Sequence, residues 1–359
     1  MNHFLVKPLR QSLFGITILC SLSACQITTP NANKQFTQVA KSIVDYRQST
    51  NPYSNLEGVE GYLLPNLSPK FLAQEYKNKA SLLAELDAVN IAKLSDENQI
   101  NFNIIRAQVQ NSVDEYVFNA HYMPLTSEYG FHSGLSYIVN SSQYKNQQDY
   151  QVYLTRLTQV PRFFEQNIYW MKKGIETGLT QPKAVLEGYE DSINAYIVDD
   201  VTTSEFYKPF LTNTAGLSDD KFKALQQKAK NIIKDDVIQS YKNYLAFFTQ
   251  QYRPSARTSI GISETPNGEA FYKNRAKYYT TTDMTPKEIH ELGLKEVARI
   301  RSEMEDVITE VGFKGTFAEF IHFLRTDPQF YATTPEQLLK EASYIAKKMD
   351  AQLPKLFHT

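Results

Sequence analysis

Apolar side chains recur at helical spacing through most of this 359-residue chain, and this periodicity limits the possible folds more than any other feature. Between Asp149 and Thr177 they follow one another at steps of three, four or seven residues, as on one face of an α-helix. Only residues 253 to 284 leave room for a short strand or two. The sequence therefore predicts a mainly α fold, a multi-helix scaffold with few short strands.

Capping residues mark four helix starts. Ser95 and Ser218 precede acidic residues, and Thr285 and Thr334 are each followed by proline and, three residues on, by Glu or Gln. Pro161 should kink or divide its helix, because proline removes a main-chain donor. The residues expected to face the core are Ile100, Ile104, Val109, Val113 and Val117; Phe222, Leu225, Ala229, Ile232, Tyr241, Leu245 and Phe248; Ile289, Leu292, Val297, Ile300, Met304, Val307 and Val311; and Leu338, Ala342, Ile345 and Met349.

Residues 1–24 have the pattern of a lipoprotein signal peptide. Lys7 and Arg10 supply positive charge, and residues 12–19 form an apolar run too short to span a bilayer. The run ends in Leu-Ser-Ala-Cys at residues 22–25, a lipobox. We expect cleavage before Cys25 and acylation of its thiol, with palmitate among the acyl chains. The alternative is an ordinary cleaved signal with an incidental cysteine.

The lipid on Cys25 would attach the chain to the membrane of the cell envelope. Gln26 favours the outer membrane facing the periplasm, because Asp at that position commonly retains lipoproteins in the inner membrane of Gram-negative bacteria. Residues 25–36 are polar and without pattern, so we expect them to form a tether. Residues 37–359 show no break in composition and are predicted to form one helical domain.

Composition excludes several classes of function. The 38 basic and 39 acidic side chains nearly balance, which argues against nucleic acid as a partner. Cys20 leaves with the signal peptide and Cys25 is acylated, so the mature chain would have no free thiol. Disulfides, thiol catalysis and Cys-ligated zinc are therefore not expected. The 23 Tyr and 21 Phe are more typical of helix interfaces than of a ligand groove.

The residues alone reveal no reaction. His290-Glu291 begins the zinc motif His-Glu-x-x-His, but Leu294 stands where the second histidine is needed. His121, His132 and Glu128 could converge on a ligand or metal through the intervening loop. His322 is expected to be partly buried and structural. No nucleophile elbow, P-loop or dinucleotide-binding glycine pattern is present in the sequence.

Several sequence blocks nevertheless resemble one bacterial family, catalogued as domain of unknown function 885. The strongest block is residues 280–300, TTTDMTPKEIHELGLKEVARI. The others are Gly130-Phe131-His132, YLTRL at 153–157, GLTQP at 178–182, Gly312-Phe313 and FLRTDP at 323–328. Members of the family are largely helical, are often lipoproteins and look like gluzincin metallopeptidases. The resemblance implies zinc-dependent hydrolysis of a peptide substrate in the cell envelope.

The same resemblance implies that this chain holds only the N-terminal portion of a family member. The family's His-Glu motif lies further downstream than residue 359, so no catalytic or metal-binding residue can be assigned here. We expect the helical domain to be incomplete at its C-terminal end, to expose apolar surface on its final helices, and to be inactive alone. The aromatic, polar loop from Tyr122 to Tyr144, with Tyr129 and His132, is the candidate lining of the substrate cleft. The alternative is a non-enzymatic helical envelope lipoprotein that binds a ligand or a protein partner.

Overall fold

A computed structural model describes residues 31–51 and 63–357, and over these residues the chain is mainly helical, as predicted. The signal peptide, Cys25 and His358 lie outside the described residues. The α-helices are α1 (Ala32–Thr50), α2 (Pro69–Asp87), α3 (Asp96–Val117), α4 (Phe131–Gly134), α5 (Tyr137–Ser141), α6 (Gln147–Leu157), α7 (Val160–Thr177), α8 (Tyr189–Asn194), α9 (Asp219–Ile232), α10 (Gln239–Phe247), α11 (Arg253–Ser255), α12 (Gly268–Thr280), α13 (Pro286–Glu310), α14 (Phe317–Thr326) and α15 (Pro335–Asp350).

Shorter helical segments connect these elements. Two π-helical segments, Ile233–Ile238 and Phe248–Tyr252, join α9, α10 and α11 into one interrupted helix. Short 3₁₀ segments lie at Ile91–Lys93, Ala120–Tyr122, Lys183–Val185, Val201–Thr203, Glu205–Phe210, Ile262–Glu264, Pro328–Phe330 and Leu353–Lys355. The described residues contain no named strand and only two isolated bridges. The strands expected within residues 253–284 are therefore absent, and α12 occupies much of that segment.

The predicted helix starts are confirmed. Ser95 caps α3 by accepting a bond from the Asn98 amide. Thr285 and Glu288 form the reciprocal bonds of a capping box at the start of α13. Pro161 divides its segment as expected, because α6 ends at Leu157 and α7 begins at Val160.

Two predictions about the N-terminal helices were wrong. On α3, Ile100, Ile104 and Val117 are exposed, whereas Val109 and Val113 are buried as predicted and Phe102 is buried with them. Phe102 packs against Phe36 of α1, with ring centroids 5.9 Å apart, and this larger aromatic contact sets which face is buried. The predicted tether also ends earlier than residue 36, because α1 begins at Ala32 and Phe36 is buried.

Contacts divide the chain into two compact units, Met1–Glu269 and Ala270–Thr359. In the first unit, α1 to α3 share a small apolar core, and the helices from α4 to α11 enclose a larger, aromatic one. The extended residues 63–68 lie along α7, where the Trp170 indole donates to the Leu67 carbonyl at 2.7 Å. The uniform composition around residue 269 gives no sign of this boundary.

The second unit leaves most of its apolar residues exposed. Among its described residues, Ile308 is the only fully buried apolar side chain. Val297 on α13 is 67% exposed, and Leu339 and Ile345 on α15 are 68% and 58% exposed. The prediction that stripes on α13 and α15 face a core is therefore wrong for the described residues, where these side chains are not buried. No described helix is long and apolar enough to cross a bilayer.

The main core provides a direct test of the packing. Leu157→Ala removes a fully buried side chain and should lower the free energy of unfolding by about 2–5 kcal/mol, because it leaves a cavity. Leu211→Ala is the matched control, since Leu211 is 64% exposed and its truncation should cost less than about 0.5 kcal/mol. Urea unfolding followed by circular dichroism measures both. Equal losses in the two variants would contradict this assignment of the core.

Candidate functional site

Two adjoining cavities form an open groove beside α4, α5 and α6, which we call the Tyr137 groove. Their volumes are about 550 and 460 Å³, and Gly134 and Tyr137 line both. Residues from 128 to 140 line one part, and residues from 134 to 156 line the other. The smaller cavity therefore lies within the segment from Tyr122 to Tyr144 that the sequence indicated. The larger cavity begins in that segment and continues onto α6.

A tight turn holds one wall of the groove. The Thr126 hydroxyl accepts bonds from the amides of Glu128 and Tyr129, and the Thr126 amide donates to the Tyr129 carbonyl at 2.6 Å. These bonds fix the main chain of the turn, and the Tyr129 side chain on it is 70% exposed. Tyr129 lines the groove, and its contact with a substrate remains a prediction.

His132 was expected to line the substrate cleft, but it lies in the core behind the groove. Its side chain is 1% exposed and lines neither cavity of the groove. The Tyr241 hydroxyl donates to the His132 carbonyl at 2.7 Å, and the imidazole Nε2 lies 3.0 Å from the Ser192 hydroxyl. That hydroxyl already donates to the Tyr189 carbonyl, so the Nε2–H is the donor to Ser192. His132 is therefore a structural support behind the loop and is not a base acting on Ser192.

The imidazole of His132 is neutral at ordinary pH. Burial disfavours the charged ring and lowers the pKa of His132 to about 4. Its Nδ1 atom has no hydrogen-bond partner among the described residues. A Cβ on Gly130 would come within 2.6 Å of this atom and 2.2 Å of the Tyr189 hydroxyl, so only glycine allows the loop to lie so close.

Polar groups line the larger cavity of the Tyr137 groove. Arg156 on α6 is 3% exposed and donates from Nη1 to the Ser142 hydroxyl at 3.2 Å. Asp149, in the first turn of α6, lines the same cavity and accepts a bond from the Lys145 amide. The sequence analysis missed Arg156. A signal was present, because Arg156 lies three and four residues after Tyr153 and Val152, which are both buried on α6.

His121 belongs to a separate aromatic cluster. Its ring lies 5.4 Å from that of Tyr116 and 4.4 Å from that of Trp170, between α3 and α7. Burial lowers the pKa of His121 to about 4, as it does for His132. His121 and Glu128 line different cavities, so the predicted convergence of His121, His132 and Glu128 is wrong.

The described residues do not fit a zinc ion. No three His, Cys, Asp or Glu side chains within residues 31–51 and 63–357 come together at metal-binding distance. His290 is exposed on α13, as the sequence indicated. His322 on α14 is also exposed, whereas partial burial was expected. We therefore assign no step of a reaction to these histidines.

The contact at Gly130 predicts a selective loss of stability. Gly130→Ala should lower the free energy of unfolding by about 1–3 kcal/mol, because the added methyl overlaps Tyr189 and His132. Gly134→Ala is the control, since a Cβ there meets no atom within 4 Å. Thermal and urea unfolding of both variants give the comparison. A Gly130→Ala protein as stable as Gly134→Ala would show that the loop does not lie this close.

The burial of His132 also predicts a dependence on pH. The pKa of His132 is about 4 in the folded protein and about 6.5 in the unfolded chain, so only the unfolded chain gains a proton between these values. Protonation of the unfolded chain therefore lowers the free energy of unfolding as the pH falls from 6.5 toward 4, and has no effect above pH 6.5. Between pH 7 and pH 5 this loss should amount to on the order of 2 kcal/mol. Urea unfolding of His132→Asn should show a pH dependence smaller by about this amount, and an unchanged dependence would refute the burial.

Comparison with known proteins gives a fold and a family. The crystal structure of a candidate lipoprotein from Colwellia psychrerythraea is similar, with a TM-score of 0.73 at 17% identity. The match covers 91% of this chain and 60% of that one, so this chain spans 60% of that protein's length. No curated protein matches. Residues 56–359 match the family described as bacterial proteins of unknown function, DUF885, and the chain therefore belongs to this family.

Proposed function

We propose that this chain is the N-terminal scaffold of a zinc-dependent peptidase, held at the cell envelope by a lipid on Cys25. The lipobox at residues 22–25 supports the anchor, and so does the lipoprotein description of the similar Colwellia structure. The family resemblance supports the peptidase. In this proposal the described helices form a frame and one wall of the substrate cleft, and the lipid places the protein at the outer membrane facing the periplasm.

The observation that carries the proposal is the uncovered apolar surface of the second unit. Leu294 and Val297 on α13 and Val311 directly after it are each at least 60% exposed, and Leu338 and Leu339 on α15 are also exposed. Contiguous apolar surface of this kind normally lies against other protein, because its exposure to water is unfavourable. The Colwellia protein extends beyond the part that matches this chain, and additional chain of that kind would supply the covering surface.

Zinc chemistry would then come from residues outside this sequence. A zinc ion in such a site polarises the peptide carbonyl and activates a bound water. The described residues offer no set of ligands for it, so their role is to shape and support the cleft. Tyr129 is our candidate for a residue that contacts the peptide, since it is exposed and lines the groove.

A non-enzymatic binding lipoprotein is the second candidate. It is favoured by the Tyr137 groove, which is open, has aromatic walls and holds a buried arginine without any catalytic arrangement beside it. This function would need no further chain for chemistry, but it leaves the apolar faces of α13 and α15 unexplained.

The protein purified from membranes of its own bacterium distinguishes the two candidates. For the peptidase we expect a polypeptide longer than 359 residues, about one zinc per chain, and cleavage of a fluorogenic peptide library that EDTA abolishes. A Cys25→Ser form should leave the membrane yet keep its zinc and its activity. A native protein with neither zinc nor cleavage would overturn the peptidase proposal and favour the binding lipoprotein.

Tyr129 tests the cleft wall within that active protein. Tyr129→Ala should raise KM several-fold with little change in kcat, because it removes a contact made equally in the ground and transition states. Tyr279→Ala is the matched control, since Tyr279 is 78% exposed and lies on α12. Equal KM values in both variants and the parent protein would show that Tyr129 does not contact the peptide.

A further inference from the structure

Among the described residues of the first unit, the two most exposed aromatic side chains lie along the same groove. Tyr137 is 74% exposed and Tyr129 is 70% exposed, whereas the tyrosines of the main core, such as Tyr150 and Tyr241, are fully buried. A tyrosine held in water on each of two adjoining cavities leaves aromatic faces free for stacking. The cavity volumes of about 550 and 460 Å³ lie in the range of small-molecule sites, roughly 300–1,000 Å³.

The polar lining of the Tyr137 groove is mainly neutral. Asn140, Gln143 and Gln148 present carboxamides, each of which both donates and accepts hydrogen bonds. Such groups suit a ligand with neighbouring hydroxyls, because each hydroxyl also donates and accepts hydrogen bonds. In the larger cavity the charges of Arg156 and Asp149 are opposite in sign, so that cavity favours a ligand without net charge. Glu128 is the charged residue of the smaller cavity.

An apolar floor lies beside these polar groups. Ile138 and Val152 are buried and line the larger cavity together with Ser142 and Arg156. An acetamido group fits such a place, because its methyl can pack on the aliphatic side chains while its carbonyl lies toward the Arg156 guanidinium. The Ser142 hydroxyl is not a donor to the ligand, since it already donates to the Ile138 carbonyl.

We propose that the Tyr137 groove binds an N-acetylated amino sugar, with the sugar ring stacked on Tyr137 and the acetamido group over Ile138 and Val152. The inference does not depend on the peptidase proposal. The sugar contacts named here, Tyr137, Ile138 and Val152, line the larger cavity, whereas Tyr129, the peptide contact proposed above, lines only the smaller one.

Calorimetric titration of the purified protein with a tetramer of N-acetylglucosamine tests the site. We expect saturable binding, about three- to tenfold weaker for Tyr137→Ala and nearly unchanged for Tyr137→Phe, which keeps the ring. Tyr279→Ala, on α12, is the control for loss of an exposed tyrosine and should bind like the parent protein. A tetramer of glucose, which lacks the acetamido group, should bind several-fold more weakly.

Three results would overturn the proposal. They are the absence of saturable binding at millimolar sugar, equal binding by Tyr137→Ala and the parent protein, and equal affinity for the two tetramers. Binding of a capped tetra-alanine peptide that Tyr137→Ala abolishes would assign the groove to peptides instead. Matching circular dichroism melts of all variants exclude misfolding as the cause of a lost affinity.

Discussion

The hydrogen bond from the Tyr241 hydroxyl to the His132 carbonyl, 2.7 Å long and fully buried, ties the groove to the core of the first unit. It joins the loop after the Thr126 turn to α10, which lies between two π-helical segments. A π segment adds a residue to one helical turn and so changes the face that follows it. Tyr241 and Tyr244 on α10 are both buried against His132 in this arrangement. The groove wall is consequently built on rigid, desolvated aromatic packing rather than on a mobile loop.

The sequence predicted those elements whose signals are local. The capping box at Thr285, the serine cap at Ser95 and the break at Pro161 depend on a few neighbouring residues, and all three are confirmed. The buried face of α3 depends on the helix it packs against. The contact of Phe102 with Phe36 on α1 buries the face that carries Phe102 and leaves Ile100 exposed. The π segments have no comparable signal, because they arise from packing along the whole interrupted helix.

The candidate site was only partly predictable for the same reason. The loop after Tyr122 stood out through its length and its aromatic residues, and Tyr129 does line the groove. His132 has the chemistry of a functional residue, but its burial follows from contacts with Ser192 and Tyr241, which are 60 and 109 residues away in the sequence. Periodicity could have drawn attention to Arg156 as a charge on a buried helical face.

The central proposal is that further chain covers the apolar faces of α13 and α15 in the native protein. Hydroxyl-radical footprinting of the native protein tests this directly, because Met304 and Met349 lie on these faces with 40% and 55% of their surface exposed in the present chain. Met171, which is fully buried, is the internal reference. The account predicts that Met304 and Met349 are oxidised about as slowly as Met171. Rapid oxidation of both would contradict it.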